Sequence, residues 1–285
     1  VVHHQTLTKT KGPLLITANH PNSFLDAIII GALFQQPVHF LARGDAFKKP
    51  WHRWLLEQLH MIPIYRISEG RQYLHLNNYS FNRSYELLAS GGIVLIFIEG
   101  ICVNQHQLQP FKKGAARIAL RCWDNGIPLQ VMPVGISYNS FKQFNKTVVV
   151  DIAPPLSKAV LTIDDYAVKS MHQFNTIIKT QLTTLIHPPI PTKTPHYVLL
   201  SALGWLGWVL HRPFYYPIQQ WVASTTKQTV FFDSVLFGVL LLLYPLYVCI
   251  LVFLLSYSSL SSIWIVAIAA LHPITAWIAV RYTHK

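Results

Sequence analysis

The chain has 285 residues, 52% of them hydrophobic and 12% charged, with 23 Lys+Arg against 11 Asp+Glu and a net charge of +12. This is richer in apolar residues and poorer in charge than a typical soluble domain, and the length allows one large domain or two small ones. The basic balance suits an anionic partner, whether a phosphate ligand, a lipid surface or nucleic acid. The cysteines, Cys102, Cys122 and Cys249, are few and scattered, which argues against a disulfide framework or a zinc pattern and for a reducing, cytoplasmic setting.

No signal-peptide pattern is seen in the opening residues, and since the first residue is Val1 an upstream segment stays open. Leu14 to Ala18 reads as a short buried strand running into the loop Asn19-His20-Pro21-Asn22-Ser23-Phe24-Leu25-Asp26. Residues 24 to 35 read as a helix, Val38 to Ala42 as a strand, Trp51 to His60 as a short helix, and Ile62 to Arg66 as a strand ending on a charge. A helix over 73 to 90 closes on Gly91-Gly92. Ile93 to Phe97 is a continuous apolar strand, as in a sheet covered on both faces. A helix follows from about Lys113 to Asp124, then strands over 129 to 138 and 147 to 152. The alternation predicts an α/β fold with a mixed, largely parallel sheet flanked by helices.

Pro188, Pro189, Pro191 and Pro195 mark a boundary. Beyond it the apolar run Val198 to Leu210, at 1.5 Å per residue about 20 Å long, is short for a membrane core, and with Trp205, Trp208, Tyr215, Tyr216 and Trp221 nearby it reads as an interfacial or re-entrant segment, or as a buried core helix. From Ser234 to Val280 there is no Asp, Glu, Lys or Arg. Ser234 to Leu255 is long enough to span a bilayer, and Ile263 to Val280 makes a second, shorter span. Lys227 precedes the first span, Arg281 and Lys285 follow the second, and the serine linker between them is uncharged. The positive-inside rule then puts the outer ends, and with them the α/β part, on the cytoplasmic side. The expected organisation is an α/β domain over 1–190, an interfacial region over 191–232 and a two-helix transmembrane hairpin over 233–285.

Several residues suggest chemistry. His20 and Asp26 place an imidazole and a carboxylate in one loop. A neutral histidine takes a proton from a hydroxyl, and a carboxylate on its other nitrogen fixes the tautomer and stabilises the cation. Asp26 has a second reading: with Ser23 three residues before it, it fits a capping box at the helix start. Glu99 and Gly100 end the clearest strand, where ligands of open α/β sheets gather, although an acidic turn would look the same. Arg66 ends another strand and suits bidentate phosphate binding, or is a surface charge. Lys113, Arg117 and Arg121 share one helix face beside Lys112, which suits a phosphate, an anionic membrane or plain solvent. Pro133 within an apolar strand implies an edge or an irregularity, and a strand that could line a groove.

Taken in order, these segments resemble the glycerolipid acyltransferase family, the 1-acylglycerol-3-phosphate and glycerol-3-phosphate O-acyltransferases. Its four motifs are similar to Asn19-His20 to Asp26, Ile62 to Arg66, Phe97-Ile98-Glu99-Gly100 and Val131-Met132-Pro133, and the resemblance spans residues 12 to about 155. The run Pro110 to Leu120 and the region from Arg212 to Phe237 look like the bacterial, membrane-anchored members. Two departures stand out. Five residues separate His20 from Asp26 where the family usually has four, and Ile98 and Ile101-Cys102 replace the usual proline and polar pair.

The resemblance implies that His20, held by Asp26, is the general base on an acceptor hydroxyl. Arg66, Glu99, Gly100 and Lys112 or Lys113 would organise a phosphate-bearing glycerolipid acceptor, either lysophosphatidate or glycerol-3-phosphate. The acyl donor would be acyl-CoA or an acyl carrier protein thioester. No cofactor, no metal and no nucleic acid would take part, and the protein would sit among membrane lipid, in a bacterial inner membrane, with the catalytic domain facing the cytoplasm. Acylation of another lysolipid or amino lipid, thioester hydrolysis, and a non-catalytic membrane protein that binds anionic lipid stay open as alternatives.

Overall fold

The computed structural model describes residues 1–66, 70–142, 146–160, 167–188 and 198–282. These fall into two units, one of residues 1–138 and 148–190, the other of 139–147 and 191–285.

The first unit is built on seven strands: β1 (Val2–His3), β2 (Leu14–Ala18), β3 (Val38–Arg43), β4 (Met61–Ile64), β5 (Ile93–Phe97), β6 (Gln130–Tyr138) and β7 (Val148–Ile152). They form one sheet in the order β1-β7-β6-β2-β5-β3-β4. The pairs of β2 with β5 and β6, of β3 with β4 and β5, and of β1 with β7 are parallel, while β6 and β7 run antiparallel. Mixed and largely parallel, this is the expected fold class. Leu14, Leu15, Ile16, Ile93, Val94 and Leu95 are fully buried. Strands apolar on both faces can be buried this way because helices cover the sheet.

Those helices are α1 (Phe24–Leu33), α2 (Pro50–Gln58), α3 (Asn77–Ala89), α4 (Gly114–Asp124) and α5 (Ala167–Leu185). Helix α4 is amphipathic: Ala115, Ala116, Ile118, Ala119, Cys122 and Trp123 are buried and Arg117 and Arg121 face out. The sequence reading misses β1 and α5. Helix α5 buries Phe174, Ile178, Leu182 and Leu185, a four-residue repeat with one shorter final step, which is the apolar stripe of a helix packed on a sheet.

Pro133 lies in a central strand, between β2 and β7, rather than at an edge. The ladder is interrupted there. Val131 donates to Leu156 O, the regular β7 pairing begins at Val134, and Pro133 falls in the gap, so its missing N–H costs no ladder bond.

The order of strands sets where a ligand can sit. From β2 the chain moves to β3 on one side, and after β5 it returns to β6 on the other side of β2. Such a reversal opens a crevice outside the C-terminal ends of β2 and its neighbours.

In the second unit, α6 (Val198–Thr225) runs through Pro213 and Pro217 and is 28 residues long, well beyond the 198–210 run expected. Helices α7 (Phe232–Ser256) and α8 (Ser262–Tyr282) follow, and these two are long and apolar enough to cross a membrane. Gly207 lets α6 and α8 approach closely, since a Cβ there would lie 2.3 Å from Thr275 O. The His211 ring stacks on His272 of α8 at 4.2 Å and pairs through Nε2 with the Tyr244 hydroxyl of α7 at 3.2 Å, which joins α6 to the other two helices, to one by a ring stack and to the other by a hydrogen bond. Lys146 forms an ion pair with Asp233, in the first turn of α7.

Candidate active site

The crevice at the ends of β2 and β5 holds His20 and Glu99. Strand β2 delivers the chain to Asn19, whose side chain acts as a strand neighbour in miniature. Its amide nitrogen donates to Ile136 O at 2.9 Å and its oxygen accepts from Ile136 N at 2.8 Å. Both bonds are buried, and they fix the point at which the loop leaves the sheet.

His20 Nδ1 lies 2.9 Å from Asp26 Oδ2, and the carboxylate is fully buried. The same Oδ2 accepts the Asn22 backbone N–H at 2.7 Å, and Oδ1 accepts the Tyr138 hydroxyl at 2.7 Å. The five-residue spacing is accommodated by a compact loop in which Ser23 takes a left-handed φ of 54°. The capping box does not form: the Ser23 side chain makes no cap bond and its N–H goes to Cys102 Sγ at 2.9 Å. Asp26 therefore serves both a backbone donor and the imidazole through one oxygen.

An acceptor-only carboxylate facing Nδ1 selects the tautomer that carries its proton there and presents Nε2 as the basic atom. The ring stacks on Phe97 at 3.8 Å and 9°, which holds its plane.

Glu99 is buried, and each carboxylate oxygen accepts one backbone N–H, from His20 at 3.2 Å and from Gln109 at 3.0 Å. Burial pushes its carboxyl above the usual range, against the pull of these two bonds and of His20. Glu99 thus clamps the β2 loop to the 101–109 loop, and this geometry makes it a positioning group. Gly100 turns the chain with φ +63°, and a Cβ there would meet the Lys112 side chain at 2.9 Å. Lys112 is exposed, and its backbone N–H bonds to Ile98 O at 2.8 Å, which brings it beside the Glu99 turn. Lys113 is the N-cap of α4 and is exposed. Of the basic helix face, Arg121 is turned onto α3, donating to Asn82 Oδ1 at 2.6 Å and lying over the Tyr85 ring.

Arg66 follows β4, two strands away from β5, on the same side of the parallel ladder. At the usual strand spacing this is about 10 Å from the Glu99 strand. Its charge acts on Asp45 in the segment after β3. Burial alone would raise that carboxyl, but the Arg43 hydrogen bond and charge, followed by the Arg66 charge, hold it below the usual range. The structure therefore joins His20, Asp26 and Glu99 directly, places Lys112 against Gly100, and sets Arg66 farther along the same edge.

Sequence reasoning missed Tyr138, Asn19 and Phe97 as partners of the pair. Tyr138 is 112 positions from Asp26, and no local pattern links them.

Cys102 is the one thiol near His20. Burial, and secondarily the Asp26 charge, push it up to about 12. A neutral thiol is a poor nucleophile. Cys102→Ala is expected to keep steady-state acyl transfer, the activity the resemblance implies, within about threefold of the wild type, with only the Ser23 bond lost. A loss of more than a hundredfold, with the fold intact by thermal melting, would make the thiol a participant.

Residues 1–137 match the family model described as Acyltransferase. The site in this matched stretch is a histidine–carboxylate pair at the switch point of the sheet. The curated relatives it matches carry the name 1-acyl-sn-glycerol-3-phosphate acyltransferase. The chain is 29% identical over 131 residues to the 1-acyl-sn-glycerol-3-phosphate acyltransferase BAT2, chloroplastic, of Brassica napus, covering 46% of this chain and 36% of that one. It is 28% identical over 131 residues to LPAT1, chloroplastic, of Arabidopsis thaliana, with the same name and coverages of 46% and 35%. The chain spans between about a third and a half of the length of the curated relatives it matches. A crystal structure of the 1-acyl-sn-glycerophosphate acyltransferase PlsC from Thermotoga maritima aligns with a TM-score of 0.42 and 17% identity, covering 66% of this chain and 72% of that one.

Proposed function

We propose that the protein is a membrane-bound O-acyltransferase that moves a fatty acyl group from a thioester to a hydroxyl of a phosphate-bearing glycerolipid precursor. The observation that carries this is the His20–Asp26 pair, 2.9 Å apart, with Nε2 left for a substrate. In the reaction, His20 Nε2 takes the hydroxyl proton as the oxygen bonds to the thioester carbonyl carbon. The tetrahedral intermediate then expels the thiolate, which receives the proton from the imidazolium. The ester forms, the C–S bond breaks and the free thiol leaves, so the histidine is regenerated. Asp26 stays ionised throughout and stabilises the imidazolium.

Lys112, Lys113 and Arg66 supply positive charge along the crevice edge for a phosphate acceptor, and Gly100 lets the backbone come close. Lysophosphatidate or glycerol-3-phosphate fits this charge; the donor is acyl-CoA or an acyl carrier protein. The names of the relatives support the first acceptor.

Two features support the membrane setting. Helices α7 and α8 are suited to span a bilayer, with Lys227 before them and Arg281 in the last turn of α8, so that the positive-inside rule keeps the α/β unit on the cytoplasmic side. Helix α2 exposes Trp51 and Trp54 at 62% and 64%, with Leu55 and Leu59, beside Lys48, Lys49 and Arg53. Aromatic side chains with flanking cations are the composition of an interfacial contact.

The test is an acyl-transfer assay on the full chain in nanodiscs. Acyl-CoA and acyl carrier protein donors are each offered lysophosphatidate, glycerol-3-phosphate and lysophosphatidylcholine, and products are read by mass. An acylated phosphate monoester as the main product is the expected result. Free fatty acid alone would make it a thioesterase, and lipid binding without turnover a non-catalytic lipid-binding protein.

A further inference from the structure

Three histidines converge on one carboxylate at the other edge of the sheet. His3 Nδ1 lies 3.4 Å from Asp151 Oδ2 and His187 Nε2 lies 3.1 Å from the same oxygen, while His4 Nδ1 lies 3.0 Å from Oδ1. The acyl-transfer chemistry uses none of these residues. We propose that His3, His187 and Asp151 form a zinc site, with His4 orienting the carboxylate.

The spacing fits the ion. Zinc bonds to imidazole nitrogen and carboxylate oxygen are about 2.0–2.2 Å, so neighbouring ligand atoms of a tetrahedron lie about 3.3–3.5 Å apart. The two distances to Oδ2 are close to this edge, and the ligand atoms of His3, Asp151 and His187 all lie within 4.8 Å of one another. A zinc ion between them needs only a small closing movement of the two rings, which sit edge to face at 5.7 Å. Each neutral imidazole would move its proton to the other ring nitrogen and offer its lone pair to the metal. Nitrogen, nitrogen and oxygen, with a water in the fourth position, is a donor set that zinc accepts.

The backbone holds the ligands in place. His3 and Asp151 are register partners across the parallel β1–β7 pair. Val150 N donates to Val1 O at 2.9 Å, and the His187 backbone N–H donates to Ser137 Oγ at 2.8 Å. Asp151 is buried, whereas His3 is exposed and His187 half-buried, so an ion reaches the site from solvent. The second carboxylate oxygen is engaged by His4, the outer contact that orients a metal-bound carboxylate. The ligands come from positions 3, 151 and 187, which is why no motif shows them in the sequence. A bound ion would tie the first strand, the β7 edge and the segment after α5 together.

The experiment uses the full chain in detergent, stripped with EDTA and dialysed against zinc chloride, with bound zinc read by elemental mass spectrometry. Wild type is expected to hold one zinc per chain, and zinc at 100 times Kd should raise the melting temperature by about 5–10 °C. His3→Ala and His187→Ala should each weaken binding by about 100-fold or more, and His4→Ala by about 10-fold. His3 is exposed, so His3→Ala tests the site without burying a hole. Zinc-free melting of each variant shows that it has folded. Equal zinc affinity in wild type and in a His3→Ala/His187→Ala double variant, or no zinc-dependent rise in melting temperature, would overturn the proposal. Acyl transfer is not the readout, so the site stands or falls apart from the proposed activity.

Discussion

His20→Ala is expected to lower kcat for acyl transfer by about 10²–10⁴-fold, the usual contribution of a positioned general base. KM for the thioester should change little, because the ring contributes to proton transfer more than to acyl-chain binding. The physical basis is local. Nδ1 is taken by Asp26, so the ring has one basic nitrogen, Nε2, and Phe97 stacking holds its plane. The alanine variant removes a partly exposed ring from a loop whose own anchors are elsewhere, in the Asn19–Ile136 pair and the Glu99 clamp on the His20 backbone. Melting temperature should therefore stay near that of the wild type. The assay is steady-state thioester turnover with melting as the control. Turnover within threefold of wild type in a folded variant would mean that His20 is not the base, and the acyltransferase reading of this loop would fall with it.

The central sheet was legible because its strands are short, apolar and separated by helices of ordinary period. Ile93 to Phe97 announces itself by composition alone, and its structural bounds are the same. The ends of elements are less faithful. The sequence extends α1 to residue 35, whereas the helix stops at Leu33, before Gln35 and Gln36, and Phe34 turns extended. Helix α5 was missed although its buried spacing of Phe174, Ile178 and Leu182 is regular, because Thr, Gln and Asn between them dilute the apolar signal. Helix α6 was cut at Leu210 because its composition turns polar and prolines follow. Yet the backbone continues through Pro213 and Pro217, since a proline removes one helical bond and neighbouring helices can hold the rest.

Of the site, the sequence shows the groups that do chemistry and hides those that hold them. His20 and Asp26 are neighbours in sequence, so their spacing is readable. Tyr138 and Asn19 act across the sheet, through β6, and that relation exists only after the strands are ordered. Glu99 reads as a ligand group from its place at a strand end, but its two oxygens are engaged by backbone donors, which gives it a supporting role. The zinc ligands are the extreme case, drawn from both ends of the first unit.

Asp26→Asn should lower kcat by about 10²–10⁴-fold as well, and in addition lower stability. The carboxylate accepts from the His20 ring, the Asn22 N–H and the Tyr138 hydroxyl, and it is fully buried. An amide has one acceptor oxygen and a donor NH₂ in place of the other. If the oxygen stays toward Asn22 and His20, the NH₂ faces the Tyr138 hydroxyl, which can rotate to accept. If the amide turns the other way, its NH₂ meets Nδ1, the imidazole moves its proton to Nε2, and the base is lost. In either orientation the negative charge that stabilises the imidazolium is gone. One buried bond of this network is worth about 1–3 kcal/mol when its partner is left unsatisfied. Tyr138→Phe separates the two effects. It removes only the Oδ1 donor and leaves the His20–Oδ2 bond, so it should cost about 1 kcal/mol of stability and keep kcat within about tenfold. Thermal melting and single-turnover acyl transfer on the three proteins decide the matter. Should Asp26→Asn lose stability like Tyr138→Phe yet turn over at the wild-type rate, Asp26 would be a loop-fixing residue and His20 would work without a charged partner.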